Sequence, residues 1–325
     1  MIWPTKTSKY QELKDSLFNE KEVHVFMLRD DLLHPGISGN KWRKLKYNLL
    51  EIGLREPQAA KSSSSESAAI GSLSDLKTTI VTVGGSHSNH IAAVAESGKV
   101  FEFKTIGLIR GYESYRNNPT LKKAANAGME IRFFDKMAFS NIESEFLPKL
   151  EQEIGGFEFV PLGGGNLLGM KGCAEVNDEL PVQTTHITTA CGTGSTMAGI
   201  IAGAKSNQTV LGFPAMKNGA FMKEDVIQYL KEFGVENYPI FKIITDYHFG
   251  GFGKMNTELI GFLNMFYHKQ GFALDGIYNG KMMYGLYDLI SKDYFEKGSV
   301  ITAIHTGGVQ GNAGLMNKYG CELPI

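Results

Sequence analysis

The chain places a cluster of cations in Gly39-Asn40-Lys41-Trp42-Arg43-Lys44-Leu45-Lys46-Tyr47. A lysine attacks a carbonyl only as the free amine, and both desolvation and neighbouring positive charge lower its pKa. Lys41 and Lys44 are three apart and share a face if the stretch is helical. Arg43 adds charge nearby, and Gly39-Asn40 is a turn dipeptide that would expose Lys41 at a helix start. The same residues also read as a basic, solvated helix surface, and taken alone the stretch leans toward that reading.

Four further pieces carry residues suited to binding. Gly84-Gly85-Ser86-His87-Ser88-Asn89-His90 offers backbone N–H groups and an amide side chain suited to a carboxylate or phosphate oxygen. The alternative is an ordinary strand-to-helix turn with Ser88 or Asn89 as the N-cap, though the double glycine followed by polar residues favours a site. Cys191-Gly192-Thr193-Gly194-Ser195-Thr196 combines glycines that let the backbone curl around an anion with hydroxyl donors at a helix start, where the dipole favours negative charge. No GK[ST] follows, so a single phosphate monoester fits better than a Walker-type nucleotide loop. A plain glycine turn with a capping serine is the alternative. Tyr278-Asn279-Gly280-Lys281 and His305-Thr306-Gly307-Gly308 are weaker signals, and His305 reads as either structural or catalytic.

These pieces need a scaffold, and the hydrophobic pattern supplies one. Val23–Leu28, Thr78–Val83, Phe103–Ile109, Glu130–Phe134, Phe157–Val160, His186–Thr189, Thr209–Phe213 and Val300–His305 are short, β-branched runs of strand length. Lys41–Ile52 has Leu45, Leu49 and Ile52 at helical spacing, a helix begins at Ile91–Ala95, and another follows Thr196. Strand, glycine loop and helix in repetition predict α/β architecture with parallel sheets covered on both faces. Ligand loops then lie at the carboxyl ends of the strands. Ser62–Ala69 is the only low-complexity piece and reads as a surface loop.

Composition narrows the class. Hydrophobic residues are 42% and charged residues 21% of 325, with a formal net charge of −1. A sizeable core is expected, and neither a nucleic-acid partner nor an anionic membrane surface is. Cys173, Cys191 and Cys321 form no CxxC pair and leave an odd count, which favours a reducing cytoplasm over a disulfide framework. No signal-peptide core opens the chain and no run of about 18 apolar residues occurs. No metal-ligand spacing appears among the eight histidines.

In this order along the chain, GNKxRKLxY, GGSHSNH, CGTGST, YNGK and HTGG resemble the fold-type II, tryptophan synthase β-like, pyridoxal-phosphate enzymes. Within them the chain resembles the 1-aminocyclopropane-1-carboxylate deaminase/D-cysteine desulfhydrase family, from about Val25 to Gly311. The resemblance implies pyridoxal 5′-phosphate held covalently by Lys41, with Lys44 near its phosphate and the phosphate cup formed by Gly192, Thr193, Gly194, Ser195 and Thr196. It implies that Ser88 stands beside the substrate, that Asn89 holds cofactor or substrate carboxylate, and that Tyr278 faces the substrate. Thr306 corresponds to the hydroxyl residue at the pyridine nitrogen in the desulfhydrase branch. It further implies two parallel-sheet, three-layer domains: a large one from residues 1–53 and 163–325, and a small one, 54–162, inserted in it. A homodimer is the usual assembly.

Two positions depart from the cyclopropane deaminase pattern. Asn279 stands where those enzymes carry a glutamate, and His248–Asn256 offers Phe249 and Phe252 where they carry a second tyrosine, with Tyr247 adjacent. A neutral hydroxyl at the ring nitrogen is a weaker electron sink than a carboxylate partner, yet it suffices for loss of a good β-leaving group. Lys41 would be the α-proton base, with Ser88 as an alternative route for the proton. The expected activity is α,β-elimination on D-cysteine or a related small amino acid, giving pyruvate, ammonia and sulfide. The alternatives are the cyclopropane deaminase itself, yielding 2-oxobutanoate, a non-enzymatic cofactor or amino-acid binding protein, and a nucleotide-phosphate binder without the cofactor.

Overall fold

The computed structural model describes residues 7–54 and 78–325. The low-complexity segment Ser62–Ala69 lies outside the described residues.

Two sheets organise the chain. The first holds six strands in the order β1 (Lys9–Glu12), β2 (His24–Arg29), β10 (Val300–Ile304), β7 (His186–Cys191), β8 (Thr209–Pro214) and β9 (Ile240–Ile243). The second holds four, in the order β5 (Glu130–Phe134), β4 (Lys104–Arg110), β3 (Thr79–Gly85) and β6 (Glu158–Val160). Every pairing is parallel except β1 with β2. The central strands are apolar runs because helices cover both faces: β10 is buried at all five positions, and β4 is exposed only at its two ends.

All eight strands expected from the sequence are present, with ends shifted by at most two residues. The two edges of the first sheet escaped that reading. β1 (KYQE) is polar and β9 (IFKI) is short and exposed at Ile240, so neither carries the buried-strand pattern. β1 also corrects the expectation of wholly parallel sheets. The link from Glu12 to His24 is shorter than the dozen or so residues a parallel crossover needs, so the strand returns antiparallel.

Three helices aim the binding loops. Asn40–Leu54 carries the lysines, Asn89–Phe101 follows β3, and Ser195–Gly203 follows β7. The first of these packs along Leu167–Ala174, where Gly172 meets the Arg43 carbonyl. Apolar cores lie on each sheet, one built around Met27, Leu211, Phe266 and Ile301, another around Leu45, Ile91, Ile109 and Leu121. Among the described residues no helix is long and apolar enough to cross a membrane. Cys173 and Cys191 are buried free thiols and Cys321 is a half-buried one.

Candidate active site

The carboxyl ends of β3 and β4 in the second sheet, and of β7, β8 and β10 in the first, open onto one cavity of about 510 Å³. Its wall includes Lys41, Ser88, Asn89, Thr193, Tyr278 and Thr306. Loops separated by more than 250 residues thus converge where open α/β sheets bind ligands.

Lys41 stands in the second position of its helix, entered through Gly39 at φ +65°. A side chain at Gly39 would place its Cβ 1.9 Å from the Thr306 carbonyl oxygen, so only glycine lets these two site loops touch. The Asn40 N–H donates to that same carbonyl at 3.2 Å. The Lys41 amine donates to Asn40 Oδ1 at 3.1 Å, and Asn40 Nδ2 donates to Thr196 Oγ1 at 2.9 Å. Asn40 therefore ties the amine to the glycine loop, a role the sequence reading did not give it. Burial of the ammonium, helped by the Lys44 charge, pulls the Lys41 pKa down to about 7.

The solvated-surface reading of this helix fails. Arg43 and Lys44 are buried, and Lys41 faces the cavity. Arg43 does not serve as the charge that acidifies Lys41. Its guanidinium donates to both Asp30 oxygens, at 2.7 and 2.8 Å, and to Glu179 at 2.9 Å. Those carboxylates outweigh the cost of burial and raise the Arg43 pKa further. It fastens the helix and leaves Lys44 as the acting charge.

Lys44 reaches the glycine loop directly. Its ammonium donates to Ser195 Oγ at 2.8 Å and to the Gly163 carbonyl at 3.1 Å. Thr193 Oγ1 and Ser195 Oγ lie 2.9 Å apart. Gly194 is the N-cap of the helix Ser195–Gly203 and supplies no side-chain cap, so the first N–H groups of that helix point into the loop. Ammonium, two hydroxyls and a helix N-terminus make an anion cup for a tetrahedral oxyanion.

The Ser88 loop both caps a helix and borders the cavity. Ser88 is the N-cap, accepting from the Ile91 N–H at 3.3 Å, and it also lines the cavity. Asn89 Oδ1 accepts from Gln310 Nε2 at 3.0 Å, which turns its Nδ2 toward Gly308. His90 was not singled out by the sequence. It is 1% exposed, its Nε2 lies 2.9 Å from Thr82 Oγ1, and that hydroxyl gives its proton to the Val160 carbonyl. His90 must then donate through Nε2. Its Nδ1 is a buried acceptor with no partner among the described residues. Burial and the two lysine charges hold its pKa well below the usual histidine range.

The far wall is set by Asp275, another residue the sequence left unmarked. Its fully buried carboxylate accepts from the N–H groups of Ile277, Tyr278 and Asn279, and from Asn279 Nδ2 at 2.5 Å. Asn279 Nδ2 also donates to the Gly307 carbonyl at 2.8 Å. The amide oxygen of Asn279 consequently faces Thr306, accepting from its N–H and its hydroxyl, each at 3.0 Å. Thr306 is thus held by an amide whose orientation a carboxylate fixes. Tyr278 lines the cavity, with burial and then Asp275 raising its phenol pKa so that it keeps its proton. Phe252 stands edge-on to it at 5.7 Å and also lines the cavity. Phe249 packs on Tyr284 instead, and the Tyr247 hydroxyl donates to Asp288, so neither reaches the site. His305 proves structural: Nε2 meets the Ala273 carbonyl at 2.9 Å and Nδ1 accepts from the Gly307 N–H.

These residues fit pyridoxal phosphate. The cup, with the Lys44 ammonium and its hydroxyls, suits its phosphate, and the low-pKa amine of Lys41 suits its aldehyde. The comparisons agree. The profile of the pyridoxal-phosphate dependent enzymes matches residues 2–307. A putative 1-aminocyclopropane-1-carboxylate deaminase of Pyrococcus furiosus is 31% identical over 304 residues, covering 88% of this chain and 85% of its own. The mitochondrial bifunctional D-cysteine desulfhydrase/1-aminocyclopropane-1-carboxylate deaminase of Arabidopsis thaliana is 28% identical, over 89% of this chain and 73% of its own. A crystal structure of an ACC deaminase homologue superposes with a TM-score of 0.77 at 28% identity, covering 96% of this chain and 94% of its own. The chain therefore belongs to the pyridoxal-phosphate dependent enzyme family and, within it, to the 1-aminocyclopropane-1-carboxylate deaminase/D-cysteine desulfhydrase group. Its cofactor is pyridoxal 5′-phosphate.

Proposed function

We propose that the chain is a β-eliminating lyase. It converts D-cysteine, or a small amino acid with a comparable leaving group, and one water into pyruvate, ammonia and sulfide. The observation that carries this reading is the neutral pair of Thr306 on the cavity wall and Asn279 buried behind it, with the nearby carboxylate of Asp275 spent on N–H donors. Phe252, which has no proton to give or take, supports it from beside Tyr278.

Pyridoxal phosphate, when bound, withdraws electrons from the substrate Cα and acidifies its proton. The chain's residues supply the rest. Lys41 holds the cofactor and its amine takes the α-proton. Lys44 and Gly192, Thr193, Gly194, Ser195 and Thr196 hold the phosphate. Thr306 would stand at the ring nitrogen. Asn89 holds the substrate carboxylate or the cofactor. The Ser88 oxygen is engaged as a cap, but its hydroxyl proton is left to donate toward the substrate. Tyr278, protonated at neutral pH, donates to the departing sulfur.

A second reading is ring opening of 1-aminocyclopropane-1-carboxylate to 2-oxobutanoate and ammonia, favoured by the names of the Pyrococcus and Arabidopsis relatives. Offering D-cysteine, L-cysteine, D-serine, β-chloro-D-alanine and the cyclopropane amino acid to the holoenzyme separates the two. Pyruvate from D-cysteine or β-chloro-D-alanine is expected. Exclusive 2-oxobutanoate formation selects the second reading, and no keto acid from any of the five overturns both. We also propose the division into a large domain, 1–53 with 163–325, and a small one, 54–162, whose movement admits substrate, together with a cytoplasmic homodimer.

A further inference from the structure

Lys281, in the YNGK segment, has no part in the chemistry above. Its side chain is among the most buried in the protein, at 1% exposure. The ammonium donates to three main-chain carbonyls: Ala215 at 3.1 Å, His248 at 2.9 Å and Gly251 at 2.7 Å. Among the described residues it forms no ion pair with a carboxylate. Burial draws its pKa down to about 8, while Asp275 acts in the opposite direction.

The three carbonyls come from three places that the site needs to keep in register. Ala215 follows β8, and its N–H donates to the carbonyl of Cys191 at the mouth of the anion cup. His248 and Gly251 belong to the loop that carries Phe252 over the cavity. That loop runs through left-handed backbone at Phe249, Gly250, Gly251 and Gly253, with φ of 51°, 88°, 117° and 62°. The glycines take it freely, but at Phe249, a bulky residue, it persists only when its surroundings hold it. Lys281 itself lies three residues beyond Tyr278. One ammonium thus joins the strand end beside the cup, the Phe252 loop and the helix that begins at Asn279.

Convergent neutral carbonyls around a single buried positive charge are what a cation site presents. The 2.7–3.1 Å separations are too long for calcium, which binds oxygen at about 2.3–2.6 Å, or magnesium, at about 2.0–2.1 Å. Those hard divalent ions also take carboxylates. The spacing suits a large monovalent ion. We propose that the Lys281 ammonium is a built-in monovalent cation, a positioning residue that holds these carbonyls as a bound potassium or ammonium ion would. It thereby sets Phe252 against Tyr278 at the substrate cavity.

The test is ionic rescue of a truncated side chain, and it needs no substrate. Lys281→Ala empties the charge position and leaves the carbonyls. Thermal melting of the holoenzyme is followed in KCl, NH4Cl, MgCl2 and N-methylglucamine chloride at equal ionic strength, with the rate of proteolysis within residues 248–256 measured alongside. The melting temperature of Lys281→Ala should rise by several degrees, with the logarithm of KCl or NH4Cl concentration, as mass action requires. Cleavage of the loop should slow several-fold in the same salts. The wild type should respond to none of them specifically, and MgCl2 should act as N-methylglucamine chloride does. Lys281→Met, which fills the space without a charge, should melt lower than wild type and gain nothing from potassium. Equal behaviour of Lys281→Ala in potassium and N-methylglucamine overturns the proposal. So does a Lys281→Met protein as stable as wild type, or failure to recover folded Lys281→Ala when it is prepared in KCl.

Discussion

Lys41 owes its expected reactivity to burial and to the charge of Lys44, one turn along the same helix. At its ordinary pKa a lysine is almost wholly protonated at pH 7. With burial and Lys44 bringing the pKa to about 7, half of it is free amine there. Lowering the pH through 7 protonates the amine and removes the nucleophile. The rate of cofactor capture by the apoprotein should therefore climb with pH and level off above about pH 7. Stopped-flow absorbance of the aldehyde reads this directly, and a rate still climbing at pH 9 contradicts it. Lys44 acts differently, by charge on the cup. Losing a hydrogen-bonded charge at about 1.5–3 kcal/mol corresponds to roughly 10- to 100-fold weaker cofactor binding for Lys44→Ala. Equilibrium dialysis should show that loss while Lys41 still forms its covalent link. Asn279→Leu removes the acceptor shared by the Thr306 N–H and hydroxyl, takes one of four donors from Asp275, and leaves the Gly307 carbonyl without the Asn279 amide. An unpartnered buried acceptor costs about 1–3 kcal/mol or more, so a clear drop in melting temperature is expected, with slower turnover.

At the scale of elements, the helix Asn40–Leu54 has to be held rigid, and Gly172 allows its closest contact. A Cβ there would sit 1.9 Å from the Arg43 carbonyl oxygen, a main-chain atom that cannot swing aside. Gly172→Ala should destabilise the protein by about 1–3 kcal/mol, as overpacking does, and should loosen cofactor binding because the lysine helix is displaced. Unchanged melting and affinity would show that the two helices do not need this contact. The sequence made much of this level legible. Central strands such as Ile80–Val83 and Val300–Ile304 are buried on both faces and advertise themselves by composition. β1 and β9 hide because an edge strand satisfies only one side and can be polar or exposed. Site residues divide the same way. Lys41, Lys44, Ser88, Asn89 and Tyr278 lie at or near helix starts in segments with unusual local patterns, and the structure gathers them with the glycine loop around one cavity. Asn40 and Lys281 act through partners more than 25 residues away, Asp275 through backbone N–H groups and His90 through a hydroxyl inside the preceding strand, which no local pattern encodes.

For the whole molecule, the cavity draws its walls from both sheets, so cofactor binding couples them. Phe139 and Arg110 come from the second sheet's side, Thr193 and Thr306 from the first. A ligand that binds only the folded protein stabilises by mass action, about 2.7 kcal/mol at 100 times its Kd. The melting temperature should rise with pyridoxal phosphate concentration as a single transition, and two transitions of which only one moves would show that the sheets are not linked through the site. The claim on which everything else stands is that the cofactor is held by Lys41. Incubation with pyridoxal phosphate, borohydride reduction and peptide mass mapping test it most directly. The pyridoxyl mass should fall on the peptide containing Lys41 and vanish in Lys41→Ala. No adduct, or an adduct confined to other lysines, would contradict it.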